Sequence, residues 1–505
     1  MMMYSPVVIV GAGPAGLMLG CELALAGVTA TILERRPAPR TDSPGAAVNA
    51  GAVEALELRG LMDRLRHLTF PLPMIHFSLL FLEMEKVDER AKGTLLLQQT
   101  QLERVLEERA TELGVKILRD HEVTRIDQDD DGVTALVRTP GGIERIECGY
   151  LVGADGADGA VRRLAGIPLT GAEIAFYGIT GDLEISMEEL GPLPLGAAYY
   201  PAGGQWMCAP IGPDVMRVTT AEFDIEPADP TADVTVEEFR MAVRRLTGAE
   251  LTAGKPRWLS RTDCRIAQAE AYRRGRVLLA GDAACVIYPV NGQALANALH
   301  DALNLGWKLA AQVQGWAPPG LLDSYHDERH AVGRRACDNV RAQVTLSRGH
   351  EEVGAVRDLL GQLMRFDEVN RYLAGMLSGV DTAYEPSGAG PAERHPLTGT
   401  RPSPDLWVAS DDGDSPAAGA AESLRQGRGV VLYLDGDPDR PGPAAAWSSR
   451  VDQVRVSRVP GVDADVVLLR PDGHVAWACR GDGAGLNEAL STWFGAPSTE
   501  KSGAS

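Results

Sequence analysis

Residues 6–10 form a short β-branched run that passes directly into Gly11-Ala-Gly13-Pro14-Ala15-Gly16 and then into an apolar helical pattern over 17–26. No other stretch restricts the fold so tightly. Three glycines at this spacing permit a tight turn, close approach of backbone to a pyrophosphate, and close packing of helix on sheet. Gly27-Val28 ends the helix, and residues 29–33 give a second strand that stops at Glu34-Arg35-Arg36. The result is a βαβ unit. At the end of its second strand the Glu34 carboxylate is placed to accept from ribose hydroxyls, while the helix N-terminus offers amide donors to phosphates. The bland alternative is an ordinary glycine turn, which gives no reason for the strand, helix and carboxylate to occur together. A dinucleotide site at Gly11, Gly13, Gly16 and Glu34 is therefore expected.

The 505 residues are too many for one ordinary core and suggest two to four domains. With 69 acidic against 49 basic residues the formal charge is -20, which disfavours nucleic acid as a partner. Seven scattered cysteines contain no CxxC pair, so a reducing cytoplasm fits best and a zinc or dithiol site is not expected. No apolar run approaches the roughly 18 residues needed to span a bilayer, so no membrane segment is expected. The N-terminal apolar stretch lacks a basic flank and reads as a strand rather than a signal peptide.

Downstream, helical spacing predicts helices over 52–66 and 101–113, and period-2 alternation predicts strands over 115–118, 121–128, 133–138 and 143–148, with a buried strand over 150–154. Strand signals continue over 176–258 with one helix near 235–246. A buried strand returns at 277–280, followed by helical stretches over 293–313, 321–350 and 351–377. Gly-Ala-Gly-Pro, His-Pro and Arg-Pro-Ser-Pro between 378 and 404 mark a boundary before a compact α/β module.

A second motif group is Leu279-Ala-Gly281-Asp282-Ala-Ala, ending a strand, followed by Pro289-Val-Asn-Gly292-Gln-Ala-Leu295-Ala-Asn297 opening a helix. Together with the first βαβ unit and Asp301-Ala-Leu-Asn-Leu-Gly-Trp-Lys-Leu-Ala, this group resembles the class A flavoprotein monooxygenases, in particular the bacterial aromatic polyketide hydroxylases. Further segments with the same resemblance are Tyr325-His326, Glu328-Arg329-His330, Arg365 to Gly375 and Leu469 to Trp477. It implies an α/β fold with a Rossmann-like FAD domain over 1–175 and 277–385, a β-rich substrate domain over 176–276 and a thioredoxin-like module over 396–497. FAD is then the implied cofactor, with NADPH needed only by a hydroxylase. Cofactor contacts carried over by motif are Gly11, Gly13, Pro14, Ala15 and Gly16, then Glu34 on the adenosine ribose, Arg35 near the adenosine end and Gln99 near the flavin side. Asp282 falls on the ribityl chain, and Pro289, Gly292, Leu295 and Asn297 lie against the isoalloxazine ring.

Several positions depart from that family. The segment 44–54 lacks the usual arginines, Asp158 adds a carboxylate near the region for NADPH, Cys285 replaces a histidine, Asn291-Gly292 replaces paired glycines, and Ala294 stands where another glycine is common. A negative charge opposes a phosphate-bearing reductant, and extra side chains restrict movement of the flavin. Such departures favour a member like the decalin-forming [4+2] cyclases, which keep FAD as structure and act on a polyketide-type polyene. The NADPH- and oxygen-dependent polyketide hydroxylase is the alternative, and a non-catalytic flavoprotein for pathway assembly is a third reading. Tyr199, Tyr200, Trp206 and Met207 are candidates for the substrate face, with core packing equally open to them; His300 and His326 read as structural. The catalytic residues and the oligomeric state, a homodimer among the options, stay open.

Overall fold

The computed structural model describes residues 3–498 apart from 44, 174–175, 201–203, 224, 226–228, 230–231, 253, 263–264, 350, 386–394, 404–405, 407–416, 435–445, 457–461 and 482. The expected Gly-Ala-Gly-Pro linker and the extreme C-terminus lie outside the described residues.

Met3–Val10 runs parallel to Ala30–Glu34 on one side and to Gly142–Gly153 on the other. Val7, Val8, Ile9, Leu17, Leu19 and Leu23 are fully buried, as expected for a strand and helix covered on both sides. The sheet continues outward through Lys116–Arg119 and, on the opposite edge, through Val277–Leu279, so a strand far along the chain rejoins the first unit. Two expected strands, 143–148 and 150–154, are one 12-residue strand. Its first half pairs antiparallel with Val133–Thr139 and its second half parallel with Met3–Val10.

The β-rich stretch forms a five-stranded antiparallel sheet in the order Gly196–Tyr200, Gly204–Gly212, Val215–Phe223, Phe176–Glu184, Lys255–Arg261. One face is covered by the helix Val236–Thr247, whose Phe239, Ala242, Val243 and Leu246 pack on Ile179, Trp206 and Val218. A complete capping box of Thr235 and Glu238 starts that helix, and Gly248, in a left-handed conformation, ends it.

Two expected helices are each divided. That over 52–66 becomes Ala50–Leu58 and Met62–Leu65, interrupted at Gly60, whose φ is +66°. The span 351–377 becomes Glu351–Leu363 and Asp367–Ser378, because Phe366 adopts an extended conformation and caps the second helix. Among the described residues no helix is long and apolar enough to cross a membrane.

The terminal module has a four-stranded mixed sheet, Val451–Arg455, Gly429–Tyr433, Val466–Leu469 and Val475–Cys479. Its junction with the rest of the molecule is buried and charged. Arg470 donates to both oxygens of Glu328 at 2.7 and 2.9 Å and also binds Asp472, while Lys308 donates to Glu328 at 2.8 Å. Burial alone would raise the Glu328 pKa, but Arg470 and Lys308 hold it at about 2. His474 stacks on Tyr384 with ring centroids 4.2 Å apart, and its Nδ1 lies 3.5 Å from an Asp472 oxygen.

Burial, which outweighs the opposing effect of the Asp472 carboxylate, lowers the His474 pKa to about 4, against an ordinary value of 6.5. A histidine held neutral in this way favours the folded state above pH 6.5, and that contribution is lost as pH falls towards 4. The loss is on the order of 3 kcal/mol. His474→Phe keeps the stacking and removes the titration, so its melting temperature is expected to fall less between pH 7 and 4.5 than that of the parent. Parallel curves would contradict this.

Candidate functional site

The glycine turn does what its spacing requires. Gly11 has φ +107°, and a β-carbon there would overlap the Ala154 carbonyl; one at Gly16 would overlap the Gly11 carbonyl. A β-carbon at Gly13 would meet no protein atom within 4 Å. The turn therefore opens on one side, at Gly13. Pro14 occupies the first position of the helix Pro14–Leu25, Gly13 has no capping side chain, and the first-turn amides are left as donors. Glu34 accepts from the amides of Ala12 and Arg36, both at 2.9 Å, so the carboxylate also braces the turn; each oxygen keeps a lone pair for a further donor. Arg35 is exposed at its side.

Ala15 joins this turn to the second motif. A β-carbon at Gly281, where φ is +63°, would lie 2.9 Å from the Ala15 methyl and 3.5 Å from that of Ala298. Gly281–Ala283 is a short 3-10 turn that leaves Asp282 exposed. Asp301 holds that turn: one carboxylate oxygen accepts from the Gly281 amide at 3.0 Å and the other from Arg329 at 2.6 Å. Arg329 also donates to the Asn297 carbonyl at 3.2 Å. In the sequence Asp301 and Arg329 stand within segments similar to the family and carry no role of their own. Their signal is a charged residue on the buried face of a helix.

Gly292 caps the helix Gln293–Gln314 with φ +67°, and a β-carbon there would lie 2.6 Å from the Ala47 carbonyl. Asn291 is also left-handed, with φ +52°. Its side-chain amide donates to the His76 carbonyl at 3.0 Å. Pro289 is exposed, and Leu295 and Asn297 are half-buried. Gln99 accepts from the Gly45 amide at 3.2 Å and donates to Glu103 at 2.7 Å, which fixes the segment leading to Ala47. The separate sequence motifs are thus joined by contact, the glycine turn to Gly281 through Ala15 and the Gly292 loop to the segment at Ala47, with first-turn amide donors beside Gly13. An extended dinucleotide fits the open side of Gly13, the first-turn amides and Glu34.

Above the loop stands the five-stranded sheet. The register puts Thr180, Thr219 and Met207 side by side on the face away from the helix Val236–Thr247, with Tyr199, Gln205, Asp182, Arg217 and Trp258 on the same face. Tyr200 and Trp206 belong to the other face; Trp206 is fully buried and donates to the Pro194 carbonyl at 2.8 Å. Of the four aromatic and methionine candidates, Tyr199 and Met207 lie on the face away from that helix, towards the cofactor side. Met207 is 41% exposed in an interior strand, which indicates space in front of it. The hydroxyls of Thr180 and Thr219 lie 3.1 Å apart. Arg217 is bound to Asp182, which also accepts from Trp258 at 2.8 Å, so this charge is already satisfied. Gln98 joins one end of the sheet to the cofactor side through the Ile211 carbonyl, and Gln205 joins the other through Ser347.

The departures have structural partners. Asp158 receives a hydrogen bond from Arg265 at 2.7 Å, which holds its carboxyl below the usual range, so its charge is countered. Cys285 turns inward, with its sulfur 3.6 Å from that of Cys337. Where the segment 44–54 lacks arginine, Arg90 and Arg401 reach Glu54 from elsewhere, at 2.5 and 2.8 Å. Burial lowers the pKa of His76, beside Asn291, to about 4. Among the described residues no cluster of metal-ligating side chains occurs.

Comparison with known proteins agrees with this geometry. The FAD binding domain family matches residues 4–340, and the aromatic-ring hydroxylase C-terminal family matches 395–497. A dialkyldecalin synthase of Streptomyces rugosporus is 45% identical over 98% of this chain and 99% of its own. A 12-dehydrotetracycline 5-monooxygenase/anhydrotetracycline 6-monooxygenase of Streptomyces rimosus is 40% identical over 97% of this chain and 99% of its own. The structure of Diels-Alderase PyrE3, from the biosynthetic pathway of pyrroindomycins, superposes with a TM-score of 0.82 at 44% identity and covers 97% of this chain and 99% of that one. The glycine turn, the convergent second motif and these full-length likenesses make this chain a member of the FAD-binding aromatic-ring hydroxylase family, with FAD as its cofactor.

Proposed function

We propose that the protein keeps FAD as a structural element and closes a decalin-type ring in a polyketide-derived polyene by [4+2] cycloaddition. The observation that carries this reading is the fastening of the loop at Asn291 and Gly292. A ring that must swing between reduction and oxygenation positions needs slack there, whereas Asn291 is bound to the His76 carbonyl and Gly292 is seated against Ala47. Similarity to the dialkyldecalin synthase supports the same conclusion.

Within this reading Gly11, Gly13, Pro14, Ala15 and Gly16 cradle the pyrophosphate, Glu34 and Arg35 hold the adenosine end, and Gln99 and Asp282 hold the flavin side. Pro289, Gly292, Leu295 and Asn297 back the isoalloxazine ring. When bound, FAD supplies a flat, rigid wall in a cyclase, and hydride acceptance with oxygen activation in a hydroxylase. Cycloaddition forms two carbon–carbon σ bonds from π electrons of the substrate and transfers no electron or atom to the protein. What it requires is a folded polyene in near-attack geometry, with a donor on the dienophile carbonyl. Met207 and Tyr199 supply wall, and the Thr180–Thr219 hydroxyl pair supplies the donor.

The alternative, a hydroxylase using NADPH and oxygen, is supported by the similarity to the tetracycline monooxygenase. Incubation of the yellow protein with linear polyene polyketides in the absence of NADPH separates the two. A product of unchanged mass, with loss of the conjugated-diene absorption, is expected. A product heavier by one oxygen, formed only with NADPH, would overturn the cyclase reading.

The same proposal takes residues 1–175 with 277–385, 176–276 and 396–497 as the three domains, a division supported by the return of Val277–Leu279 to the first sheet. A thioredoxin-like terminal module is supported by its mixed sheet and flanking helices. A reducing cytoplasm as the compartment is supported by Cys21, Cys148, Cys208, Cys285 and Cys337 being buried thiols outside any disulfide. A homodimer is proposed as the assembly only by likeness of family.

A further inference from the structure

The hairpin of His76–Phe77 and Leu80–Phe81 turns through Ser78 and Leu79, with φ of +53° and +60°. Two consecutive left-handed residues suit Asn-Gly and are strained for Ser-Leu. Tertiary contacts hold the turn in place. The Ser78 amide donates to the Gln343 side chain at 3.1 Å, and the Ser78 hydroxyl donates to the Gln343 carbonyl at 2.8 Å and lies 2.7 Å from the Ser347 hydroxyl. Arg357 donates to the carbonyls of Ser78 and Leu346, both at 2.8 Å, and to the Ser78 hydroxyl at 3.1 Å.

This knot touches both the loop at Asn291 and the sheet at Tyr199 and Gln205. Below, Asn291 binds the His76 carbonyl and lies 3.4 Å from the Gln343 side-chain oxygen. Above, the Arg357 guanidinium lies over the Tyr199 ring at 4.0 Å, and Gln205 donates to Ser347. Ser78, Gln343 and Ser347 are each 3% exposed and Arg357 is 7% exposed. Among the described residues the hydrogen bonds of Arg357 go to two carbonyls and a hydroxyl, none of them a carboxylate. Burying a guanidinium against neutral acceptors and straining a turn are both unfavourable, and a hairpin that served stability alone would need neither.

We propose that Arg357, with Ser78 and Gln343, is a positioning clasp that fixes the separation between the cofactor loop at Asn291 and the cavity face of the sheet at Tyr199 and Gln205. The clasp sets the height of the cavity in which the substrate folds, and it acts through these groups rather than by touching the reacting atoms. It rests on the proposed placement of the isoalloxazine ring against residues 289–297, and it holds for either chemistry.

The test uses holoprotein, with iodide quenching of flavin fluorescence and visible circular dichroism as readouts. Arg357→Ala and Ser78→Gly are expected to retain FAD while the iodide quenching constant rises severalfold and the flavin dichroism changes. Arg357→Lys, which keeps a cation within reach of the Ser78 carbonyl, should recover most of the difference. Ser78→Gly relieves the left-handed strain, so it folds even if Arg357→Ala does not. Unchanged quenching and dichroism in Ser78→Gly would overturn the clasp, whatever happens to melting temperature. Leu295→Ala separates the premise from the proposal. If it leaves the flavin spectrum untouched, the ring placement is wrong and the clasp falls with it; if it shifts the spectrum while Ser78→Gly does not, the clasp alone is wrong.

Discussion

Gly13→Val is expected to fold like the parent and to come off the column without its yellow colour. The side chain enters open space, since a β-carbon at Gly13 meets no protein atom within 4 Å. That space is where a pyrophosphate must approach the backbone. Affinity for FAD should fall about 100-fold or more, roughly 2.7 kcal/mol, with far-UV circular dichroism unchanged. Gly16→Val is the contrasting case: its β-carbon would overlap the Gly11 carbonyl, so the turn itself is lost and soluble protein with it. Flavin per polypeptide after gel filtration reads both. Full occupancy in Gly13→Val would mean that the cofactor lies elsewhere.

The second large effect is expected at the module junction. Arg470→Met leaves Glu328 and Asp472 buried, Glu328 paired with Lys308 and Asp472 left to the neutral donors Asn304, Trp307 and the His474 amide. Breaking a buried ion pair by removing one partner costs about 3–5 kcal/mol, because the remaining charge stays desolvated. A clear loss of melting temperature and faster proteolysis of the terminal module should follow. Replacing the carboxylates as well, in Glu328→Gln with Asp472→Asn, should recover part of the loss. Should Arg470→Met melt like the parent, the charged junction is not what holds the module on.

The glycine turn, Glu34 and the Gly281-Asp282 motif were legible in sequence because each obeys a rule of local geometry. Phe366, by contrast, breaks a helix that spacing alone predicts to be continuous, since neither neighbour is proline or glycine. Alternation divides Tyr199 and Met207 from Tyr200 and Trp206, yet it does not say which set meets the helix. Only the packing of Phe239 against Trp206 decides that. The Asp301–Arg329 pair, the Arg470 junction and the Ser78 turn are not legible in sequence for one reason: each joins residues distant in the chain, and no periodicity encodes such pairing.

The roofing sheet, finally, bears on how such proteins diversify. Ile179, Trp206, Val218 and Thr220 answer to the helix on the outer face, whereas Thr180, Met207 and Thr219, interleaved with them along the same strands, answer to whatever lies between the sheet and the cofactor side. Mutational drift on the second set changes what a lineage accepts without unsettling what it folds into. A scaffold divided in this way lets a descendant exchange one chemistry for another by small steps, each of which leaves a stable protein on which the next can act.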